Sequence, residues 1–359
     1  MEIMNNKNTM LIRELRDTTP QWAKGDGPFN HIVVSTRIRL ARNIRNIPFP
    51  FKASNNQLRQ VIGQAENLIK NNKYFYDCKI IKINDLNNMD IQFLVEKRLI
   101  SISLAQLNYP NRAFLYKPDE VISIMVNEED HFRIQCLLPG FQLEKVWEII
   151  NCYDDQIMSE IEFAFNENEG FLTCCPTNVG TGLRASIMLH LPGLLTINKL
   201  NDLMTSLSNM GYAVRGFYGE GTDFQGNLFQ VSNQVTLGFS EEEIIEKLKT
   251  ASKQLVDEEE KAREEIMLHS RKRIEDQIMR AYGILTNARI IPIAEAIDLL
   301  SKIRLGIELG IMTNIGYNII NTLMLIIQPG YIQLLRNSKM NENEIDLVRA
   351  ELIKELLHY

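Results

Sequence analysis

Residues 35–43 read STRIRLARN and directly follow HIVV (31–34), a short apolar run that is typical of a β-strand. Alternate side chains of an extended segment point to the same side, so Arg37 and Arg39 are expected to share one face of a sheet. Two guanidinium groups on one strand can bind a polyphosphate through paired hydrogen bonds. The alternative is a solvated basic edge, which this stretch favours when it is taken alone.

A β-hairpin is predicted further along the chain. The strand-like runs VISIMVN (121–127) and HFRIQCLL (131–138) are joined by the charged turn EED (128–130). A carboxylate in this turn could orient a cationic nucleophile, and Arg133 could reach a phosphate. The alternative is a solvated hairpin tip, which is what most charged turns are.

A loop with two glycines follows in CCPTNVGTGLRAS (174–186). Gly180 and Gly182 permit a tight backbone path, and backbone amides together with Arg184 would form an anion site. The loop is not a Walker motif, because GxxxxGK[ST] does not occur there. Cys175 stands in a polar setting near Arg184, which could favour a thiolate; a buried, inert thiol is the alternative.

The fourth cluster is VRGFYGEGTDFQGN (214–227), in which Arg215 ends a predicted strand and Glu220 is flanked by two glycines. Such a loop can close over a substrate and carry a carboxylate with it, although a flexible hairpin loop would look the same. Because the four clusters offer arginines and carboxylates in one part of the chain, their functional interpretation outweighs the separate alternatives.

The elements around these clusters predict an α+β fold, in which helices flank an antiparallel sheet. Further strands are expected in GYAVRGF (211–217) and LFQVSNQVTL (228–237), and a helix over 197–210 ends at Gly211. After Ser240 the chain becomes helical, beginning with a capping box in which Glu243 stands three residues on. We therefore divide the chain into a catalytic domain (1–255) and an all-helical module (256–359), with helices over 292–308, 312–328 and 343–357.

Charge and cysteine content narrow the classes of function. The chain has 359 residues and a formal net charge of −6, which argues against general nucleic-acid or anionic-membrane binding. Its five cysteines are odd in number and lack CxxC pairs, so neither a disulfide framework nor a zinc site is indicated. We expect no metal site made of protein ligands, no secretory signal, no membrane span and a cytoplasmic location.

The four motifs STRIRLARN, NEEDHFR (127–133), CPTNVGTGLRAS (175–186) and RGFYGE (215–220) resemble the signature segments of phosphagen kinases, the creatine and arginine kinase group. The resemblance covers roughly residues 30–240 in order, spacing and residue type. It implies ATP and Mg²⁺ as cofactors, and it assigns catalytic roles to Glu129, Glu220 and Cys175. It also implies nucleotide or phosphate contacts from Ser35, Thr36, Arg37, Ile38, Arg39, Arg133, Arg184, Ala185, Ser186, Ile187, Met188, Arg215, Gly216, Phe217, Tyr218 and Gly219.

Within this family the chain is most similar to the bacterial protein arginine kinases of the McsB type. The helical domain that precedes STRIRLARN in creatine kinase is missing, and a helical C-terminal module is present instead. VEKRLIS (95–101) resembles the VEKHLIS motif of that group, with Arg98 where a nucleotide-contacting histidine is usual. An RDxxRA motif tied to allosteric phosphoarginine binding becomes IDLVRA (345–350) here. Asp346 and Arg349 remain on one helix face, so they mark an allosteric site or ordinary surface positions.

The chemistry of guanidinium phosphorylation agrees with these residues. With a pKa near 13.8 a guanidinium is a very poor nucleophile at neutral pH, so an enzyme must orient it and remove a proton. We assign the base to Glu129, the second orienting carboxylate to Glu220, and electrostatic tuning of the guanidinium to Cys175. Phosphoryl transfer otherwise needs charge neutralisation and in-line placement, which five arginines and Mg²⁺ would supply.

The expected activity is phosphorylation of arginine residues in proteins, linked to the stress response and to Clp-type proteolysis. Phosphorylation of free arginine or another guanidino metabolite is the first alternative, and a non-catalytic kinase-like adaptor is the second. The resemblance also implies a zinc-binding activator protein, a heat-shock repressor and the Clp protease system as partners. The apolar stretches IAEAIDLLSKI (293–303) and YNIINTLMLII (317–327) predict a homodimer. The alternatives are a fully intramolecular helical bundle and docking of these helices onto the catalytic domain.

Overall fold

The computed structural model describes residues 2–216 and 225–358, with side chains from residue 8 onward. The strands are β1 Val33–Arg42, β2 Lys79–Lys82, β3 Ala113–Tyr116, β4 Ile122–Val126, β5 Phe132–Pro139, β6 Phe165–Asn166, β7 Gly170–Phe171, β8 Leu183–His190, β9 Tyr212–Gly216 and β10 Leu228–Asn233. Eight of them form one sheet with the order β2-β3-β4-β5-β1-β8-β10-β9, in which every neighbouring pair is antiparallel. The other two, β6 and β7, form a separate two-stranded hairpin.

Helices cover the sheet on both faces, which makes the predicted α+β class and the antiparallel sheet correct. They are α1 Glu2–Asp17, α2 Asn55–Asn71, α3 Asn88–Glu96, α4 Ile102–Gln106, α5 Leu143–Met158, α6 Pro192–Thr196, α7 Leu200–Asn209, α8 Glu241–Asn287, α9 Ile293–Glu308, α10 Tyr317–Ile326, α11 Pro329–Arg336 and α12 Glu342–Leu357.

The two faces of the sheet have different cores. On one face Ile38 and Leu40 of β1 pack with buried residues of α2, α5 and the first half of α8. On the other face Leu137, Met188 and Leu228 pack under α9, α10, α12 and the second half of α8. Because alternate residues of a strand face opposite sides, each central strand contributes to both cores.

Most of the predicted elements are confirmed, with changed boundaries. The hairpin of β4 and β5 forms as expected, and α7 and α12 lie where helices were predicted. The helix predicted over 312–328 begins only at Tyr317, because Gly316 is its extended N-cap residue. Pro329, predicted as a break, is the first residue of α11, a position where proline loses no helical hydrogen bond.

The early end of β10 and the helix at the N-terminus were not foreseen. β10 ends at Asn233 rather than at residue 237, since Thr236 turns away to bond the loop before β8. The N-terminal segment, which carries few apolar residues, forms α1 and buries Leu11, Ile12 and Leu15. That burial depends on contacts with distant residues, which no local pattern reveals.

The long helix α8 joins the two predicted domains. Ser240 and Glu243 form the predicted capping box at its start. The helix runs through the predicted division at residue 255 and bends at Ser270, whose φ of −136° and ψ of 18° are not helical. Glu259 accepts the backbone N–H groups of Gly193 and Leu194 at 2.9 Å each, which ties the helix to α6. The division of the chain at residue 255 stays a prediction.

The apolar helices α9 and α10 are buried within the chain. Ile297, Leu300, Ile320 and Leu323 have at most 1% of their surface exposed and belong to the core beneath the sheet. The apolar positions that suggested a dimer are therefore largely satisfied within the chain, by packing among α8, α9, α10 and α12 and against a few residues of the sheet. Among the described helices none is singly long and apolar enough to cross a membrane, and only α10 with α11, bent by 77°, meets that test as a pair.

Gly226 joins the helical module to the sheet and should not tolerate a side chain. It has a φ of +63°, and an added Cβ would lie 2.6 Å from Cγ2 of Ile297 in α9. We expect Gly226→Ala to lower the free energy of unfolding by about 2 kcal/mol in urea denaturation.

The same change at Gly283, which is exposed in α8 and has nothing within 4 Å of its Cβ position, should raise stability by about 1 kcal/mol. Equal effects of the two substitutions would show that the contact between Gly226 and α9 contributes nothing.

Candidate active site

Five arginines lie on one face of the sheet, although they come from four strands. Arg37 and Arg39 are alternate residues of β1, and Arg39 lies directly opposite Arg184 of β8. Arg133 of β5 pairs with Ala41, which is on the same face as Arg39. Arg215 of β9 pairs with Gln230 of β10, which in turn pairs with Met188 of β8. Met188 is opposite Ser35, which shares a face of β1 with Arg37, so Arg215 lies on the same face. The strand register thus brings together all five predicted phosphate ligands.

Burial and mutual repulsion disfavour the charged forms of the arginines on this face. Burial, followed by the charges of Arg98, Arg133 and Arg184, lowers the pKa of Arg37 to about 9. The pKa of Arg39 is lowered well below its ordinary value for the same reasons. Like charges directly across a strand pair are destabilising, so the residues present fit an anion that would relieve the repulsion.

One hydrogen-bond donor of the arginine face is left unsatisfied within the described part of the chain and could bind such an anion. Arg37 donates to Oε1 of Gln230 at 2.9 Å. The Nε of Arg39 is buried and has no hydrogen-bond partner among the described residues. A buried unsatisfied donor carries a free-energy cost that a phosphate oxygen would remove.

At the hairpin tip Glu128, rather than Glu129, holds an arginine. Nη1 of Arg133 is 2.6 Å from both carboxylate oxygens of Glu128, a residue with 1% of its surface exposed. Burial alone would raise the pKa of Glu128, but the charge and hydrogen bonds of Arg133 hold that pKa below its ordinary value. Ser101 donates a further hydrogen bond to Glu128. Glu128 thereby fixes the position of Arg133.

Glu129, the predicted base, is exposed beside this pair. Its pKa is raised, first by partial burial and then by the negative charge of Glu128, while Arg133 acts in the opposite direction. A carboxylate with a raised pKa is a better proton acceptor than an ordinary one. Glu129 is thus accessible to a substrate and tuned in the direction that its predicted role requires.

Asp130 connects the hairpin tip to residues 174–182, the segment before β8 that is called the cysteine loop below. It accepts hydrogen bonds from Nδ2 of Asn43 at 2.6 Å and from the backbone N–H of Cys174 at 2.7 Å. Burial, then Asp130 and Glu129, raise the pKa of the Cys174 thiol to about 11, so this thiol stays protonated at neutral pH. Cys175 is half-buried, with its Sγ 3.0 Å from Oγ1 of Thr177. All five cysteines are free thiols.

Arg98 lies at the margin of the arginine face. Its φ is +66°, its guanidinium carbon stands 4.5 Å from the centre of the Trp22 ring, and its carbonyl accepts Nε2 of Gln135 at 2.8 Å. Gln135 is the residue opposite Arg39 in β5. The geometry brings Arg98 near the predicted phosphate ligands, and its contact with a nucleotide stays a prediction.

The two residues before Arg98 attach it to both ends of the chain. Lys97 forms a buried ion pair with Glu120 at 2.7 Å and donates to the carbonyl of Thr18 after α1. Glu96 accepts the backbone N–H groups of Gly330 and Tyr331 at 2.9 Å each, at the N-terminus of α11. The position of Arg98 is therefore set by N-terminal and C-terminal segments together.

Not every predicted nucleotide ligand points to this face. The side chains of Ile38, Ala185 and Ile187 lie in the opposite core, and Thr36 donates to the carbonyl of Gly140 at 2.6 Å, so only their backbones border the site. Ser35, Ser186 and Met188 share the arginine face, and Gly216 ends β9. The remaining predicted residues, Phe217, Tyr218, Gly219 and Glu220, lie outside the described residues.

Asp346 and Arg349, the predicted allosteric pair, form a buried ion pair instead of standing on the surface. Arg349 is 1% exposed, donates to the carbonyls of Ile327 at 2.8 Å and Ile291 at 2.9 Å, and is hydrogen-bonded to Asp346. The interpretation of the two as surface residues is wrong, because they bind the end of α10 to the segment before α9. Phosphoarginine binding here stays a prediction.

Two family models match the chain over most of its length. The model described as ATP:guanido phosphotransferase, C-terminal catalytic domain, covers residues 60–262, and the one described as Protein-arginine kinase McsB C-terminal domain covers residues 271–359. This chain belongs to the ATP:guanido phosphotransferase family. The first match ends at residue 262 and the second begins at residue 271, directly after the bend at Ser270 in α8.

Relatives and solved structures agree with this family. The chain is 46% identical to a protein-arginine kinase of Moorella thermoacetica, over 94% of its own length and 97% of the relative. It is 44% identical to the protein-arginine kinase of Bacillus subtilis, over 96% and 95%. A lombricine kinase structure aligns at 24% identity with a TM-score of 0.58, covering 68% of this chain and 71% of the other, and so shows the shared fold.

Several residues that contact the predicted site residues were themselves not predicted. Glu128 and Asp130 stood in the charged turn without separate roles, because three adjacent carboxylates cannot be told apart by composition. Gln230 and Trp22 carry no local signal, since each reaches the site through strand pairing or tertiary packing. Asn43, which binds Asp130, is the last residue of the STRIRLARN motif, and that position was the only sequence signal for it.

His131, next to Asp130, is a buried structural residue with a pH-dependent contribution. Its Nδ1 accepts the N–H of Ile44 and its Nε2 donates to the carbonyl of Pro48, both at 3.0 Å, which requires the neutral ring. Burial lowers the pKa of His131 to about 4 from an ordinary 6.5. The unfolded chain therefore binds the extra proton between these values, and stability falls as the pH falls through that window.

When the pH is lowered from 7 to 5, we expect protonation of His131 in the unfolded chain to lower the free energy of unfolding by about 2 kcal/mol. The pH dependence of urea denaturation should become shallower in His131→Gln and stay unchanged in His269→Gln, an exposed control in α8. An unchanged slope in His131→Gln would contradict this assignment.

Proposed function

We propose that this chain transfers the γ-phosphoryl group of ATP to the guanidinium of arginine residues in other proteins. The observation that carries the proposal is the arginine face, on which five guanidinium groups converge beside the accessible carboxylate of Glu129. Membership in the ATP:guanido phosphotransferase family implies that ATP is the phosphoryl donor. The relatives named protein-arginine kinases support protein arginine as the acceptor.

The reaction requires one proton transfer and one phosphoryl transfer. Glu129 orients the target guanidinium and accepts the proton that is lost as the N–P bond forms. The bond between the γ-phosphorus and the bridging oxygen of ATP breaks, and ADP leaves with the electron pair. Glu220 is proposed as the second orienting carboxylate, and Cys175 as a group that tunes the guanidinium electrostatically.

The arginines would neutralise the charge of the transferring group. Arg37 and Arg39 occupy the centre of the face, and Arg184 lies directly across from Arg39. Arg133 is held in place by Glu128, so the arginine is positioned before any ligand arrives. Such preorganised charges stabilise a phosphoryl-transfer transition state without having to move during the reaction.

Mg²⁺ is proposed as the companion of ATP rather than as an ion bound by the protein alone. Within residues 2–216 and 225–358 no group of three or more potential metal-ligating side chains occurs. A magnesium ion commonly reaches kinase sites through substrate phosphates and keeps several waters. When bound it would supply further neutralisation of the phosphate oxygens.

A kinase for free arginine or another guanidino metabolite is the second candidate. The solved neighbours include lombricine and taurocyamine kinases, but their low identity shows the fold alone. The match of residues 271–359 to the protein-arginine kinase C-terminal model favours a protein substrate. A non-catalytic adaptor is disfavoured by the raised pKa of Glu129 and by the intact arginine face.

Mass spectrometry decides among these functions. The enzyme is incubated with Mg-ATP, an arginine-containing protein and free arginine, and acid-labile phosphoarginine is measured in both acceptors. We expect phosphoarginine in the protein, and a loss of about 100-fold or more in rate for Glu129→Gln with nearly normal nucleotide binding. Glu167→Gln, an exposed glutamate in the β6–β7 turn, is the matched control and should keep full activity.

Phosphorylation of free arginine alone would replace the proposed function with the metabolite kinase. No phosphoryl transfer to either acceptor, with ATP bound, would favour the adaptor. Full turnover by Glu129→Gln would remove that residue from the mechanism.

The wider cellular role is a proposal from the resemblance. We propose a cytoplasmic enzyme that acts in the stress response, marks proteins for Clp-type proteolysis, and works with a zinc-binding activator protein and a heat-shock repressor. The chain is also proposed to form a homodimer, although α9 and α10 bury most of their apolar residues within the chain.

Light scattering across a dilution series tests the dimer. A dimer should give about twice the chain mass of 41.4 kDa at micromolar concentration. A constant mass of one chain would mean that docking onto the catalytic domain accounts for the apolar helices by itself.

A further inference from the structure

A groove of about 320 Å³ lies beside the cysteine loop. One wall is the β6–β7 hairpin with Phe165 and Glu169, and the other is the segment 236–243, which leads into α8. Its floor includes Phe171, Gly180 and Thr181. No step of the phosphoryl transfer described above uses these walls.

The rim of the groove exposes large apolar side chains. Phe165 is 56% exposed, Leu237 54% and Phe239 40%. Phe165 stacks edge-on against Phe171 in the floor, with ring centres 5.2 Å apart. Clustered exposed apolar groups of this kind around a concavity mark a surface that binds another molecule.

The charges of the groove select the kind of molecule. Glu169, Glu241 and Glu243 line it, and none of the described lining residues is a lysine or an arginine. Within the described contacts, two cations touch lining residues from outside: Nζ of Lys247 lies 3.4 Å from the Phe239 ring centre, and the guanidinium carbon of Arg42 lies 3.6 Å from the Phe171 ring centre. Arg42 is buried and paired with Asp154, so its charge is already compensated. An apolar groove with acidic walls complements a peptide that carries both apolar and basic side chains.

The floor of the groove belongs to the loop that carries Cys175. Thr236 donates its hydroxyl to the carbonyls of Thr177 at 3.0 Å and Val179 at 2.7 Å, and its own carbonyl accepts the N–H of Thr181 at 3.1 Å. The turn that forms the floor therefore runs from Thr177, which contacts Cys175, towards Arg184 at the start of β8. Along the chain the groove thus adjoins two residues with predicted roles in the reaction.

We propose that this groove binds the segment of a protein substrate next to the target arginine, and that it prefers an apolar residue accompanied by lysine or arginine. The inference rests on the proposed function. It deepens that function because a free guanidino metabolite has no flanking residues with which to occupy the groove. A second copy of this acidic chain fits the acidic walls less well than a basic peptide does.

Peptide kinetics test the proposal. Two peptides share one central arginine; one carries phenylalanine and lysine as flanking residues, and the other carries serine and glutamate. We expect the wild-type enzyme to favour the first peptide about tenfold in kcat/KM. Leu237→Ser and Glu169→Lys should each remove most of this preference while KM for ATP stays unchanged, and Leu237→Ser should also leave the rate with the second peptide unchanged.

Matched controls lie outside the groove. Leu268→Ser alters an apolar residue that is 80% exposed on α8, and Glu167→Lys alters an exposed glutamate that does not line the groove; both should keep the preference. Equal kcat/KM for the two peptides in the wild type, or an unchanged preference in both groove variants, overturns the inference and leaves the proposed function standing. A lower oligomeric mass of Leu237→Ser in light scattering, with an unchanged peptide preference, overturns it in favour of an interface between copies. Absence of phosphoarginine on every peptide would instead mean failure of the proposed function.

Discussion

Five arginines lie on one face of an antiparallel sheet, and the rest of the structure must overcome the repulsion between them. Arg39 and Arg184 stand directly opposite each other, where like charges repel, and burial removes the water that would screen them. A folded chain can maintain this arrangement only if other interactions fix the strands. The same repulsion makes the face receptive to a polyphosphate, because binding relieves an interaction that the protein alone cannot satisfy.

Buried ion pairs around this face hold the strands in register. Arg42, at the end of β1, is bound by both carboxylate oxygens of Asp154 in α5 and donates to the carbonyl of Thr181 at 2.8 Å. Glu128 holds Arg133, and Asp130 joins the hairpin tip to the cysteine loop. Asp154 and Glu128 are both buried, so removal of either arginine would leave an uncompensated buried carboxylate. At the hairpin tip Glu128 and Asp130 are buried in these contacts, whereas Glu129 between them is exposed.

The helical module contributes to the same face rather than forming a separate body. Its helices cover Leu137 and Met188, which follow Arg133 and Arg184 along their strands, and Leu228 at the start of β10. Asp298 and Ser301 of α9 accept hydrogen bonds from the backbone of Gly226 and the side chain of Asn227, at 2.9 and 3.0 Å. These contacts fix the start of β10, whose Gln230 accepts a hydrogen bond from Arg37, so the module helps to hold the arginine face in place.

The sequence alone determined whatever depends on neighbouring residues. Strand alternation put Arg37 and Arg39 on one face, the charged turn joined β4 to β5, and Ser240 with Glu243 began α8, because each feature is set by a local spacing. Only the tertiary structure decided which carboxylate holds Arg133, how Arg184 and Arg215 align with β1, and that Asp346 and Arg349 are buried. It also decided where the apolar sides of α9 and α10 pack, since pairing between distant segments is fixed by complementary surfaces that no single segment contains.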